Sequence, residues 1–204
     1  MKTACIFGAG EQNIEQLTLP ADALVWAADG GLAYCAKLKI TPDYIIGDFD
    51  SLGFIPEKAV VLPVQKDNTD MAAAVEQAEA LGCDTFYMYG GTGKRLDHTL
   101  ANMALLIDLA KKGKRAWLCD RDYTVTAVTN GEICFDESEK GVISVFAADE
   151  KVYGVTEEGL LYSLDNATLE NRTALGVSNE FTGQKSRIAV KNGTLIIVKN
   201  HFKE

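Results

Sequence analysis

Short apolar runs alternate with helix-like segments over roughly the first 120 residues, and this alternation limits the possible folds more than any other feature. The runs have the length and composition of strands that are buried on both faces of a parallel sheet. The candidate strands cover residues 3–7, 24–28, 44–46, 60–64, 85–89 and 116–119. Strand followed by helix, repeated, requires right-handed crossovers. The sequence therefore predicts a doubly wound, mostly parallel α/β domain.

Two helices are predicted within this region. Residues 96–112 carry apolar side chains at steps of three and four, and Gly113 ends the pattern. Residues 69–81 are rich in alanine, with Thr69 as the expected N-cap and Gly82 after the last residue. We expect both helices to serve as crossovers of the sheet.

Polar loops follow four of the predicted strands. Ligands of such sheets bind outside the carboxyl ends of the strands, so these loops are candidate site segments. They are Asp29-Gly30-Gly31, Gly47-Asp48-Phe49-Asp50-Ser51, Gln65-Lys66-Asp67-Asn68-Thr69-Asp70 and Gly90-Gly91-Thr92-Gly93-Lys94-Arg95-Leu96-Asp97-His98. Glycine amides, cations and carboxylates at one edge suit a polyphosphate with its magnesium. Four such loops in succession favour a phosphate-ester site over solvated turns.

The carboxylates of Asp48 and Asp50 stand two residues apart at the end of a strand. In extended backbone both point to the same side, and at close range their repulsion is about 4 kcal/mol at an effective dielectric near 20. A cation would offset this repulsion, and Mg²⁺ prefers hard oxygen ligands. The alternative is a solvated turn in which Asp50 or Ser51 accepts backbone hydrogen bonds.

Two familiar nucleotide-binding motifs are not matched. Residues 90–95 lack the Walker A spacing, because position 88 is Met and Arg95 follows Lys94. Gly8-Ala9-Gly10 follows a strand, but the third glycine position of a dinucleotide fingerprint is Asn13. We interpret Gly8-Ala9-Gly10 as a tight turn.

The pattern changes after about residue 120. Asn130-Gly131 and Asn192-Gly193 each separate two strand-like runs by two residues, which predicts two β-hairpins. Sequential strands without helical periodicity favour a small antiparallel β-sandwich. We therefore predict a catalytic, ATP-binding α/β domain at residues 1–122 and a β-sandwich domain at residues 123–204.

Composition narrows the choice of partners and location. The net charge of -9, without a basic run, argues against a nucleic-acid partner. The five cysteines form no CxxC motif and mostly lie in apolar segments, which favours buried thiols in a reducing compartment over a zinc site. No run has the length of a membrane span or a signal peptide. We expect a cytoplasmic protein with no membrane partner.

Taken together, the four loops and the turn Gly176-Val177-Ser178-Asn179-Glu180 resemble the motifs of bacterial thiamine pyrophosphokinase, in the same order along the chain. The resemblance implies an N-terminal α/β domain, a C-terminal β-sandwich and transfer of pyrophosphate from ATP to thiamine with release of AMP. It also implies dependence on Mg²⁺ and a homodimer with sites between subunits.

The resemblance and the loop chemistry together suggest roles for particular residues. Asp48 and Asp50 are assigned to magnesium, and Asp70 or Asp67 is a further metal ligand or the carboxylate that orients thiamine. Catalysis is expected to rest on Asp48, Asp50, Asp70 and Arg95. The short side chains of Ser178 and Asn179 are expected to bind thiamine. The residues expected around ATP are Asp29, Gly30, Lys66, Asp67, Gly91, Gly93, Lys94, Asp97 and His98.

Some roles and two other functions stay open. The general base is not identified, although an aspartate fits better than His98. A magnesium-dependent nucleotide-sugar transferase also places two aspartates at a strand end. A non-catalytic nucleotide- or vitamin-sensing module would use the same acids to bind a regulatory cation.

Overall fold

The computed structural model describes residues 1–47, 59–61 and 68–201. By its internal contacts the chain divides into two compact units. The N-terminal unit comprises Met1–Leu105 and Ala116–Asp120, and the C-terminal unit comprises Leu106–Arg115 and Arg121–Glu204. The protein is of the mixed α/β class. None of the helices in the described ranges has the length and apolar content to span a membrane.

The described part of the N-terminal unit contains six strands. They are β1 (Thr3–Phe7), β2 (Leu24–Ala28), β3 (Tyr44–Gly47), β4 (Ala59–Val61), β5 (Thr85–Tyr89) and β6 (Arg115–Cys119), of which the first residue belongs to the other unit. Their order is β6-β5-β1-β2-β3-β4, and β5, β1, β2, β3 and β4 pair in parallel. The predicted strands are confirmed, except that residues 62–64 lie outside the described residues.

Three helices lie along the same part of the chain: α1 (Gly31–Lys37), α2 (Asp70–Ala80) and α3 (Leu96–Lys111). The predicted helices at 69–81 and 96–112 are confirmed to within one residue at each end. Thr69 is the N-cap of α2, since its hydroxyl accepts a hydrogen bond from the Ala72 amide at 3.2 Å. Helix α1 has only seven residues, too few for the periodicity that reveals a helix in sequence.

Helices cover both faces of β1 and β2. Cys5 and Phe7 point to one face, where they form a buried cluster with Tyr34 of α1. Trp26 points to the other face and donates its indole N–H to Gln77 of α2 at 2.8 Å. Burial on both faces explains why β1 reads as a continuous apolar run instead of an alternating one.

The C-terminal unit contains eight strands among its described residues. They are β7 (Tyr123–Thr129), β8 (Glu132–Phe135), β9 (Val142–Ala147), β10 (Lys151–Glu158), β11 (Leu164–Glu170), β12 (Asn179–Glu180), β13 (Ser186–Ala189) and β14 (Thr194–Asn200). They form two antiparallel arrays, ordered β12-β9-β14-β7 and β11-β10-β13-β8. The two arrays share one buried core, to which Val145 and Ile197 contribute from the first, and Val155 and Ile188 from the second.

The two predicted hairpins are wrong. Asn130-Gly131 joins β7 to β8, but β7 pairs with β14 and β8 pairs with β13. Asn192-Gly193 likewise joins β13 to β14, which lie in different arrays. The two turns bond to each other instead: the Asn130 amide donates to the Gly193 carbonyl at 3.1 Å, and the Gly193 amide donates to Asn130 Oδ1 at 2.9 Å. Each turn is therefore a corner between two arrays.

Candidate active site

The parallel strands of the N-terminal unit end at one edge, where the polar loops begin. Gly8 follows β1, Asp29 follows β2 and Gly90 follows β5. Asp120, which follows β6, is hydrogen-bonded to Thr92 of the loop after β5. Because carboxyl ends of parallel strands meet at the same edge, these loops lie side by side. The loop after β3, which carries Asp48 and Asp50, lies outside the described residues.

The glycine-rich loop after β5 is held by backbone and side-chain hydrogen bonds. The amide of Gly10 donates to the Gly90 carbonyl at 2.8 Å, and the amide of Glu11 donates to the Thr92 carbonyl at 2.7 Å. Asn102 of α3 is buried and donates its Nδ2 to the Gly91 carbonyl at 2.7 Å. The loop is therefore a preformed surface.

Two glycines are required by this close approach of backbones. A Cβ on Gly10 would lie 2.4 Å from the Thr92 oxygen and 2.5 Å from the Gly90 oxygen. Gly90 has φ +61°, and its Cβ would lie 2.5 Å from the Gly8 oxygen. Either side chain would push the loops apart, so no other residue fits these positions.

Asp120 ties three strand ends together from beneath the loops. Its Oδ2 accepts the Thr92 hydroxyl at 2.8 Å, and its Oδ1 accepts Asn13 Nδ2 at 2.8 Å. Asp120 and Thr92 are both buried. Hydrogen bonds to a buried carboxylate are stronger than neutral ones, so this network fixes the position of the glycine-rich loop.

A cavity of about 230 Å³ opens at this edge. Its walls include seven of the residues predicted to bind substrates: Asp29, Asp70, Gly91, Gly93, Lys94, Arg95 and His98. Two further candidates, Gly30 and Asp97, do not line it. Asp48, Asp50, Lys66 and Asp67 lie outside the described residues.

The cavity carries charges of both signs. Asp70 is the first residue of α2, where the helix dipole favours negative charge. Asp29 has φ +46° and Lys94 also has φ +46°, an uncommon conformation for residues with a side chain. Lys94 donates its ammonium group to the Ala9 carbonyl at 3.3 Å. Such strain in two cavity residues is typical of functional sites.

Arg95 forms a two-pronged ion pair with Asp97. Its Nε donates to Asp97 Oδ1 at 3.2 Å, and its terminal nitrogen donates to Oδ2 at 2.5 Å. This pairing lowers the pKa of Asp97 and raises that of Arg95. Asp97 therefore orients Arg95 from outside the cavity, a supporting position that agrees with its absence from the cavity wall.

The donors of the cavity suit a hard cation. Asp29 and Asp70 both line the cavity, and Mg²⁺ commonly uses one or two carboxylates together with phosphate and water oxygens. Within the described ranges, no group of three His, Cys, Asp or Glu side chains is placed to hold a metal ion. Asp29 and Asp70 are carboxylate residues of this wall, and carboxylate oxygens are the kind of ligand that Mg²⁺ prefers.

The turn with Ser178 and Asn179 lies in the C-terminal unit. Ser178 is exposed and has φ +60°. Asn179 is only 3% exposed, and its side chain donates to Glu157 and to the Tyr162 carbonyl, both at 2.7 Å. The two neighbours thus face different surroundings, solvent for Ser178 and the protein interior for Asn179.

Three parts of the site were missed by sequence reasoning. Residues 8–10, interpreted as a tight turn, form part of the cavity wall. Asp120 follows a predicted strand directly, so the rule that selected Asp29 would also have selected it. Nothing in the sequence pointed to Asn102. A single polar residue inside an amphipathic helix does not indicate that its side chain bonds to a distant loop carbonyl, here that of Gly91.

Comparison with known proteins identifies the family. A model of the thiamin pyrophosphokinase catalytic domain matches residues 16–118, and a model of the thiamin pyrophosphokinase vitamin B1 binding domain matches residues 131–195. The chain belongs to the thiamin pyrophosphokinase family. The predicted resemblance is therefore confirmed, and the chain is a transferase for which thiamine and ATP are the substrates.

Individual relatives agree with the family models. Thiamine pyrophosphokinase of Bacillus subtilis (strain 168) is 28% identical over 212 residues, which cover 98% of this chain and 99% of that protein. Thiamin pyrophosphokinase 1 of Caenorhabditis elegans is 28% identical over 187 residues, 84% of this chain and 76% of that protein. A crystal structure of the Bacillus subtilis enzyme is similar to this fold with a TM-score of 0.88 and 25% identity, and the match covers 99% of this chain and 100% of that one. Neither a nucleotide-sugar transferase nor a sensing module is favoured by these comparisons.

Proposed function

We propose that the chain transfers pyrophosphate from ATP to the hydroxyl of thiamine at the cavity of the N-terminal unit, giving thiamine diphosphate and AMP. The observation that carries this assignment is the wall of that cavity, where glycine backbone and the cations Lys94 and Arg95 meet the carboxylates of Asp29 and Asp70. Backbone amides and cations suit phosphate oxygens, and carboxylates suit a metal or the thiamine cation.

The reaction requires positioning and charge neutralisation more than a protein nucleophile. The thiamine hydroxyl oxygen bonds to the β-phosphorus, the bond to the oxygen bridging the α- and β-phosphates breaks, and AMP leaves with that oxygen. The hydroxyl proton passes to a base or to water. Lys94 and Arg95 neutralise phosphate oxygens in this proposal, joined by Lys66 from outside the described residues, while the amides of Gly91 and Gly93 orient them.

Magnesium belongs to the same proposal. Asp48 and Asp50 are its proposed ligands, and Asp70 either completes the set or orients thiamine. When bound, the ion would neutralise and align the phosphate oxygens of ATP. We expect activity to disappear in excess chelator and to return with added Mg²⁺, whereas full activity in chelator would remove the metal from the proposal.

The proposed homodimer is supported by apolar side chains around the Ser178 turn. Leu161 is 51% exposed, Tyr162 65%, Leu175 49% and Val177 37%. Leu161 and Tyr162 lie beside the turn because their amides donate to Glu180 and Asn179, and clusters of exposed apolar groups are typical of interaction surfaces. A second copy of the chain would cover them and bring its Ser178 turn to the thiamine side of the partner's cavity.

The fold assignment has finer parts that also stay proposals. We assign residues 1–122 to a doubly wound α/β domain. The packing of α1 and α2 on opposite faces of β1 and β2 supports this assignment. We assign residues 123–204 to a β-sandwich. The core shared between two antiparallel arrays supports this assignment. Cytoplasmic location is part of the same proposal.

A product assay tests the function directly. The purified chain is incubated with ATP, Mg²⁺ and thiamine, and nucleotides and thiamine esters are separated and quantified. AMP and thiamine diphosphate in equal amounts support pyrophosphate transfer. ADP with thiamine monophosphate would indicate an ordinary kinase, and ATP binding without any product over hours would favour a sensing module. A reaction without thiamine controls for simple ATP hydrolysis.

A mixing experiment tests the shared site. Chains with Ser178→Trp and chains with Asp50→Asn, each inactive alone, are unfolded together and refolded. If each site takes one residue set from each subunit, mixed dimers regain part of the activity, because one of their two sites is intact. No recovery in a preparation shown by mass to contain mixed dimers would mean that the site is built within one chain or that the Ser178 turn plays no part in it.

A further inference from the structure

Glu157 is a buried carboxyl group that stability alone does not explain. It lies in β10 of the C-terminal unit and is fully buried. Its Oε2 accepts a hydrogen bond from Asn179 Nδ2 at 2.7 Å, while its Oε1 has no hydrogen-bond partner among the described residues. Burial raises the pKa of Glu157, and the bond from Asn179 partly opposes this. Burying a carboxyl costs free energy that a leucine at this place would not.

Asn179 uses its whole side chain inside the protein. Its Nδ2 donates to Glu157 and to the Tyr162 carbonyl, and its Oδ1 accepts the amides of Tyr162 and Glu180, both at 2.9 Å. A side-chain amide has two donor hydrogens and two acceptor lone pairs, so these four bonds fill its capacity. Asn179 is therefore a support of the turn and has no group left for a substrate.

Ser178 is the residue that this support presents. Its hydroxyl group has no intramolecular bond among those found in the described ranges, and its amide donates to the Ser144 hydroxyl at 3.0 Å. Gly176, with φ +96°, is fixed by the Val145 amide, which donates to its carbonyl at 2.8 Å. A Cβ on Gly176 would lie 3.3 Å from Glu157 Oε1, so the turn also packs directly on the buried carboxyl group.

We propose that Glu157 is a positioning residue for thiamine: it holds Asn179, and Asn179 fixes the turn in the left-handed conformation that presents Ser178 to the substrate. The inference rests on the proposed function, because it takes thiamine as the ligand of this turn. It changes the role predicted for Asn179 from substrate contact to support. It also gives the buried carboxyl a purpose other than stability, namely a defined shape for an exposed loop.

Kinetics of two Glu157 variants test the proposal. Glu157→Leu removes the acceptor of the Asn179 bond and should raise KM for thiamine about tenfold, the loss expected when one hydrogen bond that holds the turn is removed. KM for ATP should stay within about twofold of the wild-type value, because the ATP cavity lies in the other unit. Glu157→Gln keeps an acceptor oxygen and should restore most of the affinity for thiamine. Glu158→Gln, the next residue on the same strand and exposed, is the matched control and should change neither KM.

A donor–acceptor exchange covers the case in which Glu157→Leu does not fold. Asn179→Asp places an oxygen opposite the Glu157 carboxyl and should raise KM for thiamine strongly. Adding Glu157→Gln to that variant supplies an N–H opposite the new oxygen and should recover part of the loss. Such recovery would show that the effect on thiamine binding depends on the contact between residues 157 and 179.

The outcomes separate this inference from the proposed function. If the wild-type chain forms no thiamine diphosphate, the proposed function fails whatever Glu157 does. If the wild-type chain is active and folded Glu157→Leu keeps the wild-type KM for thiamine, only the inference fails. A fall in kcat that matches a lower folded fraction while both KM values stay unchanged, or the absence of any recovery in the exchange variant, would likewise overturn it.

Discussion

Each unit holds a loop from beneath by means of a buried carboxyl group, but the two groups are satisfied to different degrees. Asp120 supports the glycine-rich loop of the N-terminal unit and has a partner on each oxygen, Thr92 and Asn13. Glu157 supports the Ser178 turn of the C-terminal unit and has a partner on only one oxygen, Asn179. A buried carboxyl group beneath a loop therefore has different energetic consequences in the two units.

The difference indicates two ways of building a substrate surface. A carboxylate with all its bonds made lowers the free energy of the fold while it fixes a loop, so stability and geometry are gained together. A carboxyl with an orphan oxygen fixes a loop at the expense of stability. Mutations should therefore separate three kinds of residue: walls that act on substrate, supports that also stabilise, and supports that only position.

A substitution of a cavity-wall residue should lower activity with little effect on stability. Asp70→Asn is expected to lower kcat about 100-fold, because a well-placed charge contributes several kcal/mol at the transition state. The melting temperature should change little, since Asp70 is half-buried at the first residue of α2, where its charge contributes at most about 1 kcal/mol through the helix dipole. The dependence of the residual rate on Mg²⁺ and on thiamine then decides the role of Asp70: a higher Mg²⁺ requirement indicates a metal ligand, and a higher KM for thiamine indicates an orienting group.

Glu76→Gln is the control for that prediction, because Glu76 lies on the same helix, is exposed and is absent from the cavity wall. Its activity should equal that of the wild type. If Asp70→Asn keeps its kcat, Asp70 is not part of the site and the division between wall and support loses its strongest example.

Asp120, whose two carboxylate oxygens both have hydrogen-bond partners, should affect stability more than activity. Asp120→Ala leaves the Thr92 hydroxyl and the Asn13 amide without their acceptor and should lower the free energy of unfolding by about 3 kcal/mol. Urea denaturation measures this loss, and KM for ATP should rise as the glycine-rich loop loses its anchor. Asp122→Ala is the control, because the Asp122 side chain is half-exposed and its carboxylate pairs with Arg121. Equal stability of the two variants would contradict the role of Asp120.

A substitution at Arg95 that preserves the charge should lower activity less than Asp70→Asn, which removes a charge. Arg95→Lys keeps the positive charge but loses the planar fork that Asp97 orients, so KM for ATP should rise about tenfold. Its melting temperature should equal that of the wild type, since both partners are exposed. A variant that loses stability and keeps its KM would make Arg95 structural.

Glu157, which has a hydrogen-bond partner on only one oxygen, should make the stability of the protein depend on pH. In the folded chain the pKa of Glu157 lies above its ordinary value of 4.5, so ionisation penalises the folded state. Below pH 4.5 the carboxyl is neutral in both states and the penalty is absent; above it the penalty grows until the pH passes the folded pKa. Glu157→Gln never ionises, so the difference in melting temperature between this variant and the wild type should rise with pH over that window. A difference that is constant from pH 4 to pH 8 would contradict this reading.

Much of the candidate site could be predicted because the rule behind it is local. A strand buried on both faces is a continuous apolar run, and the polar residues just after it must lie at the edge where ligands bind. That rule selected Asp29, Asp70 and the loop from Gly90 to His98. It could not distinguish a wall residue from a support, because Arg95 and Asp97 stand two positions apart in one polar segment and only their side-chain geometry separates them.

The sequence by itself determined most strands and the two longer helices of the N-terminal unit, the order of the loops along the chain and the family motifs, since each depends on neighbours within about ten residues. Tertiary structure alone decided what the two Asn-Gly turns do. Their local conformations suit a hairpin, and Asn130 does adopt φ +47°. The flanking strands nevertheless pair elsewhere, because a corner lets the apolar sides of β7, β8, β13 and β14 enter a core shared by two arrays, whereas a hairpin would keep neighbouring strands in one array. That choice depends on partners about 60 residues away, at Gly193, and no local pattern encodes it.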